Sequence, residues 1–106
     1  MKSGTLTIGK LARKFGLSRS TLLYYDSIGL LKPSGRSRAH YRRYTEQDAL
    51  RLQLICLYRR TGLPLAAVRE ILDAPRSSVR IILEERFTAL GEEIASLREQ
   101  QQVILR

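Results

Sequence analysis

The last third of the chain carries a heptad pattern, and this pattern constrains the fold more than any other feature of the sequence. Seven positions step alternately by four and three residues: Leu83, Phe87, Leu90, Ile94, Leu97, Gln101 and Ile104. Such a repeat predicts a coiled-coil helix with one polar member in its seam. Residues 78–106 contain no proline and a single glycine, so we expect one helix about 43 Å long. Because a lone helix would leave this seam in water, we expect two copies of the chain to pair as a homodimer.

The net charge of +9 lies entirely on the other part of the chain. Residues 1–75 hold 14 of the 19 Lys and Arg but only 5 of the 10 Asp and Glu, whereas residues 76–106 are neutral overall. An excess of this size indicates a polyanionic partner such as nucleic acid. A membrane surface would require an amphipathic helix with a basic face, and here the basic cluster lies in a predicted loop. We therefore expect a nucleic-acid partner and no membrane.

Two short helices are predicted near the N-terminus. Thr7 caps the first, which ends at Gly16, and Ser18 caps the second, which runs to about Ile28 before Gly29. The first helix has one apolar face, formed by Ile8, Leu11, Ala12 and Phe15. Two short helices joined by a tight turn form a helix-turn-helix, whose second helix enters the major groove of DNA. Its candidate DNA contacts are Ser18, Arg19, Ser20, Thr21 and Tyr24.

A basic segment follows the second helix. Residues 30–44 have no helical period, and residues 33–35 are turn formers, so we expect Leu30 and Leu31 to pair with residues 41–44 in a β-hairpin. Arginine binds phosphate bidentately and enters narrow minor grooves, which makes this hairpin a second candidate DNA contact. Its candidate residues are Arg36, Arg38, His40, Tyr41, Arg42 and Arg43.

Two further helices complete the predicted N-terminal domain. Thr45 and Asp48 form a capping box, and the helix that follows carries apolar residues at 50, 54, 57 and 58 and ends at Gly62. A fourth helix, from about residue 65 to 72, should place Leu65, Val68, Ile71 and Leu72 inward. Pro75 then breaks the helical pattern. The chain is therefore predicted to be mainly α, with a DNA-binding domain at 1–75 and a dimerisation helix at 76–106.

Several linked motifs give this sequence a family resemblance. Residues 7–12 (TIGKLA), 21–26 (TLLYYD) with 28–31 (IGLL), 41–45 (YRRYT), and 61–65 (TGLPL) with 68–72 (VREIL) resemble the MerR family of transcription regulators. The match runs in order over about residues 6–72. The hairpin segment is most similar to the multidrug- and antibiotic-responsive branch of that family.

The resemblance implies a winged helix-turn-helix with residues 31–44 as the first wing and residues 46–72 as the second. It implies that the long helix forms an antiparallel coiled coil, and that the dimer binds and distorts a promoter palindrome in double-stranded DNA. RNA polymerase would then be affected indirectly, through the geometry of the promoter. By position, Tyr24 and Arg42 correspond to phosphate contacts, and Tyr41 and the other arginines of the wing to backbone or minor-groove contacts.

Three positions depart from the family pattern. Ser20 and Leu23 stand where the family has arginines, and Lys10 stands where it has the glutamate of a capping box. Arg19 is adjacent to Ser20 but projects about 100° away from it around the helix. Leu23 has two explanations: an exposed contact to a thymine methyl group, or a buried residue in a slightly rotated helix.

The residue types present give little support to other functional classes. Cys56 and His40 are the single cysteine and histidine, whereas thiolate metal sites need two or more sulfurs, so we expect no metal or cofactor and interpret Cys56 as a core thiol. No nucleophile–base pair indicates an enzyme. An excisionase-like or nucleoid architectural protein is the alternative DNA-binding function. We expect a cytoplasmic protein whose effector is unknown, either a fragment of a longer regulator or a short regulator without a sensor.

Overall fold

The computed structural model describes residues 4–106, which fold mainly as helices, as predicted. Contacts divide the chain into two compact units, with the first ending at Leu72 and the second beginning at Asp73. In chain order the elements are β1 (Leu6–Thr7), α1 (Ile8–Phe15), α2 (Arg19–Ser27), β2 (Gly35–Arg36), β3 (Arg42–Tyr44), α3 (Glu46–Arg59), α4 (Leu65–Asp73) and α5 (Arg76–Leu105).

The helix-turn-helix is formed by α1 and α2, and its capping residues are those predicted. The Thr7 hydroxyl accepts a hydrogen bond from the Lys10 amide at 3.2 Å, and the Ser18 hydroxyl accepts one from the Thr21 amide at 3.0 Å. Gly16 ends α1 with a φ of 67°, a left-handed conformation that glycine adopts without the strain of a Cβ. These local signals therefore set the bounds of both helices.

Leu30 and Leu31 do not form the first strand of the hairpin, so that part of the prediction was wrong. Their amides both donate to the carbonyl oxygen of Tyr25, at 2.9 and 3.1 Å, and both side chains are buried in the core. Successive side chains of a strand point to opposite faces, which is incompatible with burying two neighbours in one core. The segment therefore continues from the end of α2 into the core, and the hairpin begins later.

The sheet has β3 at its centre, with β1 and β2 antiparallel on either side of it. In the register, Arg36 pairs with Arg42, and Leu6 pairs with Tyr44. The strand β1 was not predicted, because it has only two residues, one of which is the Thr7 cap, and carries no alternating pattern. Since β1 leads into α1, the sheet fixes the hairpin beside the helix-turn-helix.

The predicted capping box of α3 is present. The Thr45 hydroxyl accepts from the Asp48 amide at 3.2 Å, and the Asp48 carboxylate accepts from the Thr45 amide at 2.8 Å. The helix buries Ala49, Leu52 and Ile55, whereas three of the apolar residues that marked it in the sequence are exposed: Leu50, Leu54 and Leu57. The helix carries two apolar stripes, and periodicity alone does not decide which of them faces the core.

The remainder of the first unit follows the prediction more closely. In α4, Val68 and Ile71 are buried, and Leu65 and Leu72 are partly buried against the same core. That core also contains Leu11, Leu22, Tyr25, Leu30, Leu31, Tyr44, Leu52 and Ile55. It therefore joins α1, α2, α3 and α4 to the sheet through Tyr44 of β3.

The second unit is dominated by α5, which begins after Pro75 and runs unbroken to Leu105. None of its side chains is buried, and the seam residues Phe87 and Ile104 are 79% and 81% exposed. No helix in the described residues is both long enough and apolar enough to cross a membrane. The heptad seam is thus an apolar surface without cover in the single chain.

The Tyr44 hydroxyl generates a stability prediction. It is fully buried and has no hydrogen-bond partner within residues 4–106, whereas the Tyr25 hydroxyl interacts with Arg59. We expect Tyr44→Phe to leave the free energy of unfolding unchanged or raise it by up to about 1 kcal/mol, because an unsatisfied buried group is removed. Tyr25→Phe, the matched control, should lower it by about 1 kcal/mol. Urea unfolding at fixed chain concentration tests both, and a larger loss in Tyr44→Phe would contradict this account.

Candidate DNA-binding surface

Helix α2 is oriented by the two side chains that it buries, Leu22 and Tyr25. This orientation leaves Arg19, Ser20 and Tyr24 exposed, and Leu23 is 42% exposed. Leu23 is therefore not a core residue, which removes the second of its two explanations. The Ser18 and Thr21 hydroxyls lie 2.9 Å apart and bond to each other, so both belong to the cap of the helix. Arg19, Ser20 and Tyr24 thus expose polar groups on α2, and Leu23 is an exposed apolar side chain among them.

The hairpin of β2 and β3, residues 35–44, carries an ordered tip. The Ser37 amide donates to the Tyr41 carbonyl at 2.8 Å, and the His40 amide donates to the Ser37 carbonyl at 2.9 Å. His40 adopts a φ of 65°, a left-handed conformation uncommon outside glycine. His40 thus shapes the turn, while Arg38 and Tyr41 remain exposed at its tip. We call residues 35–44 the wing hairpin.

An ion pair joins the wing hairpin to α2. The Nε of Arg42 donates to the Asp26 carboxylate at 2.8 Å, and the Lys32 ammonium lies 3.6 Å from the other carboxylate oxygen. The hydrogen bond from Arg42 holds the pKa of Asp26 below its usual value. Asp26 was not predicted as a residue of the site, although it is the single acidic residue among the first 45 and so the nearest available partner for these cations. This contact fixes the wing hairpin against the helix that carries the other candidate contacts.

The other arginines of the wing hairpin differ in their partners. Arg43 donates to the Thr5 hydroxyl at 2.7 Å and to the Thr5 carbonyl at 3.3 Å, which ties it to the chain before β1. Arg36 donates to the His40 carbonyl at 3.3 Å within the hairpin itself. Within the part of the chain that the structure describes, Arg38 has no hydrogen-bond or ion-pair partner. Of the four arginines of the wing hairpin, Arg38 is the one whose whole guanidinium group is free, among the described residues, to bind an external anion.

A cleft brings α1, the start of α2 and the wing hairpin together. Gly9, which was not among the predicted contacts, lies in it on the first turn of α1. No carboxylate lines this cleft. Its lining residues are Thr7, Ile8, Gly9, Arg19, Ser37, His40, Tyr41, Arg42 and Arg43. The fold thus collects five of the eleven predicted contacts in one basic concavity.

Cys56 packs against the core and is partly buried. Burial raises the pKa of its thiol, which disfavours the thiolate that metal coordination requires. Among residues 4–106, no group of three or more His, Cys, Asp or Glu side chains is placed to hold a metal ion. His40 is on the surface of the wing hairpin.

Comparison with known protein families gives two matches that together span the chain. A model of the MerR HTH family regulatory proteins matches residues 6–75, and a MerR DNA-binding model matches residues 49–106. The transcriptional activator TipA of Streptomyces coelicolor is 41% identical over 93 residues, which cover 88% of this chain. Those residues cover 37% of TipA, so the chain spans well under half of that relative.

Solved structures give the same result. MtaN, the N-terminus of a multidrug transporter activator of Bacillus subtilis, superposes with a TM-score of 0.87 at 32% identity and covers 93% of each chain. HiNmlR, a MerR family regulator that lacks the sensor domain and is bound to promoter DNA, has a TM-score of 0.63 at 29% identity. The match covers 94% of this chain and 84% of HiNmlR. These similarities favour a transcription regulator over an excisionase-like or architectural protein.

The Asp26–Arg42 pair generates a pH prediction. Because the pKa of Asp26 is lowered in the folded state, its contribution to stability is complete above the unfolded value of 3.8. That contribution is lost as the pH falls through 3.8 toward the lower folded pKa. We expect Asp26→Asn to cost about 1 kcal/mol at neutral pH and to flatten this acid limb. Equilibrium unfolding across this pH range measures both effects. An acid limb of the same slope in the wild type and in Asp26→Asn would contradict the assignment.

Proposed function

This chain belongs to the MerR family of helix-turn-helix regulatory proteins, and we propose that it binds a palindromic promoter site as a homodimer and distorts the DNA there. The observation that carries this proposal is the basic cleft between α1, α2 and the wing hairpin. A helix of this kind fits the major groove, and a wing fits the adjacent minor groove or backbone. The Asp26–Arg42 pair fixes the two in one unit, so they meet the DNA together.

The proposed contacts divide by chemistry. Arg38, Tyr41 and Tyr24 are exposed, and their donors suit phosphate oxygens. The guanidinium nitrogens of Arg42 and Arg43 that do not bond protein groups remain available to phosphate oxygens. Ser20 and Leu23 occupy the exposed face of α2, where a leucine suits contact with a thymine methyl group. Sequence discrimination would therefore depend on α2, and non-specific affinity on the wing hairpin.

The proposed dimer rests on α5. Its seam leaves Phe87, Ile94, Leu97 and Ile104 in water, and burial of apolar side chains drives association. An antiparallel pairing of two such helices would bring each seam against its copy. A two-fold dimer presents two recognition helices related by symmetry, which corresponds to a palindromic site.

The regulatory context follows from the relatives. HiNmlR lacks a sensor domain, whereas TipA extends well beyond the region that this chain matches. We propose a cytoplasmic regulator that affects RNA polymerase through distortion of its promoter, with the effector left unassigned.

Selection of bound fragments from a genomic library, followed by footprinting, tests the function directly. We expect the 106-residue chain to recover fragments that share a palindrome, and to protect it within a promoter. Nuclease cleavage should be enhanced at the centre of the site, because a bent duplex opens one groove there. Recovery of fragments with no shared sequence would contradict a promoter-specific regulator and favour an architectural protein.

The dimer has its own test. Leu90→Asp places an unpaired charge at the centre of the heptad seam, where burial is costly. We expect a monomer in sedimentation experiments that has lost binding to the palindrome, while circular dichroism shows that the helices of the first unit remain folded. Leu50→Asp, on an exposed stripe of α3 outside the seam, is a control for an added surface charge. If Leu90→Asp still sediments as a dimer, the interface does not lie along this seam.

A further inference from the structure

The guanidinium of Arg19 lies against the first turn of α1, over Gly9, which has no side chain to displace it. A Cβ atom built on Gly9 would lie 3.0 Å from Nη2 of Arg19, 3.4 Å from its Nε and 3.6 Å from its Cζ. Contacts of 3.0–3.4 Å are tighter than most Cβ contacts, so the guanidinium group would have to shift by a few tenths of an ångström. The planar guanidinium therefore occupies the space that any larger residue at position 9 would partly fill.

Arg19 also differs from Arg42 and Arg43 in having no partner among the described residues. Arg42 bonds Asp26 and Arg43 bonds Thr5, whereas Arg19 makes no hydrogen bond or ion pair within residues 4–106. It is exposed, so its donors are available to a molecule that enters the cleft. A cation that lies in a cleft with its donors unused has the properties of an anion-binding side chain.

The electrostatic surroundings of Arg19 favour an anion. Its guanidinium lies beside the N-terminal turn of α1, the positive end of the helix macrodipole, and in the same cleft as Arg42 and Arg43. No acidic residue lines that cleft to offset the accumulated charge. Asp26, which is not part of the lining, pairs with Arg42. Arg19 and Arg43, in contrast, have no carboxylate partner within residues 4–106, and a bound phosphate would lower their mutual repulsion.

We propose that Arg19 binds a phosphate of the DNA backbone in this cleft. Gly9 is the positioning residue, because it leaves room for the Arg19 guanidinium against α1. This inference rests on the proposed DNA-binding function and adds to it a residue, Gly9, and a ligand group. The guanidinium is folded back against α1, which shortens its reach toward base edges and suits a phosphate at the border of the groove. Arg19 thereby supplies a cationic contact beside Ser20, where the family pattern has an arginine.

The test uses the full chain and two labelled duplexes, one carrying the selected palindrome and one of random sequence, over a series of salt concentrations. We expect Arg19→Ala to weaken binding to both duplexes by the same factor, about tenfold, because a phosphate contact does not depend on sequence. The log–log dependence of affinity on salt should flatten by about one unit per protomer.

Gly9→Ala separates positioning from folding. Alanine favours a helix over glycine, so the melting temperature should stay constant or rise, while affinity falls toward that of Arg19→Ala. In the double variant Gly9→Ala/Arg19→Ala, affinity should equal that of Arg19→Ala alone, because Gly9 acts through Arg19. Gly91→Ala is the matched glycine control, since a Cβ there meets no atom within 4 Å, and Arg98→Ala is the control for loss of one exposed charge. Both should bind as the wild type does.

Three results would overturn the inference. Arg19→Ala with wild-type affinity and salt dependence would show that Arg19 does not contact DNA. Weakening confined to the palindrome would make Arg19 a base-reading residue instead. Wild-type affinity in Gly9→Ala would remove the positioning role of Gly9. Failure of the wild type to bind either duplex would be a separate result, since it overturns the proposed function itself.

Discussion

The hydrogen-bonded ion pair between Asp26 and Arg42 connects the two parts of the candidate DNA-binding surface. Asp26 belongs to α2 and Arg42 to β3, so the pair crosses from the recognition helix to the wing hairpin at 2.8 Å. Two residues further along β3, Tyr44 anchors the same strand in the core. The position of one end of β3 is therefore fixed by an ion pair, and that of the other end by apolar burial. Without the carboxylate, Arg42 and Lys32 would repel each other across the same gap.

Several arginines of this unit donate to backbone carbonyls, since acidic side chains are few there. Arg51 donates to the Leu30 carbonyl at 2.8 Å, and Arg69 donates to the Ile28 carbonyl at 2.9 Å. Both carbonyls follow the C-terminus of α2, where a cation also interacts favourably with the helix macrodipole. These bonds hold α3 and α4 to the recognition helix but leave the net charge unchanged.

Local signals in the sequence predicted the helices, whereas contacts between distant residues were not predictable. Thr7, Ser18 and Thr45 cap helices through neighbours three residues away, so their role is visible in the chain itself. Leu30 and Leu31 were assigned to a strand because their burial depends on the end of α2 and on the core around it. The buried face of α3 likewise depends on which stripe meets the other helices. In the candidate site, the residue types were predicted, but the bond from Arg43 to Thr5 spans 38 positions and has no local signature.

The exposed seam of α5 has a consequence for DNA binding. A single N-terminal unit would contact one half-site, so its affinity for DNA would be low. In the proposed dimer, binding of the first unit raises the effective concentration of the second at its half-site. The gain depends on a fixed distance between the two units, which a continuous helix from Arg76 to Leu105 supplies better than a flexible linker. In the proposed dimer, specific binding would therefore require the heptad seam as much as the recognition helix.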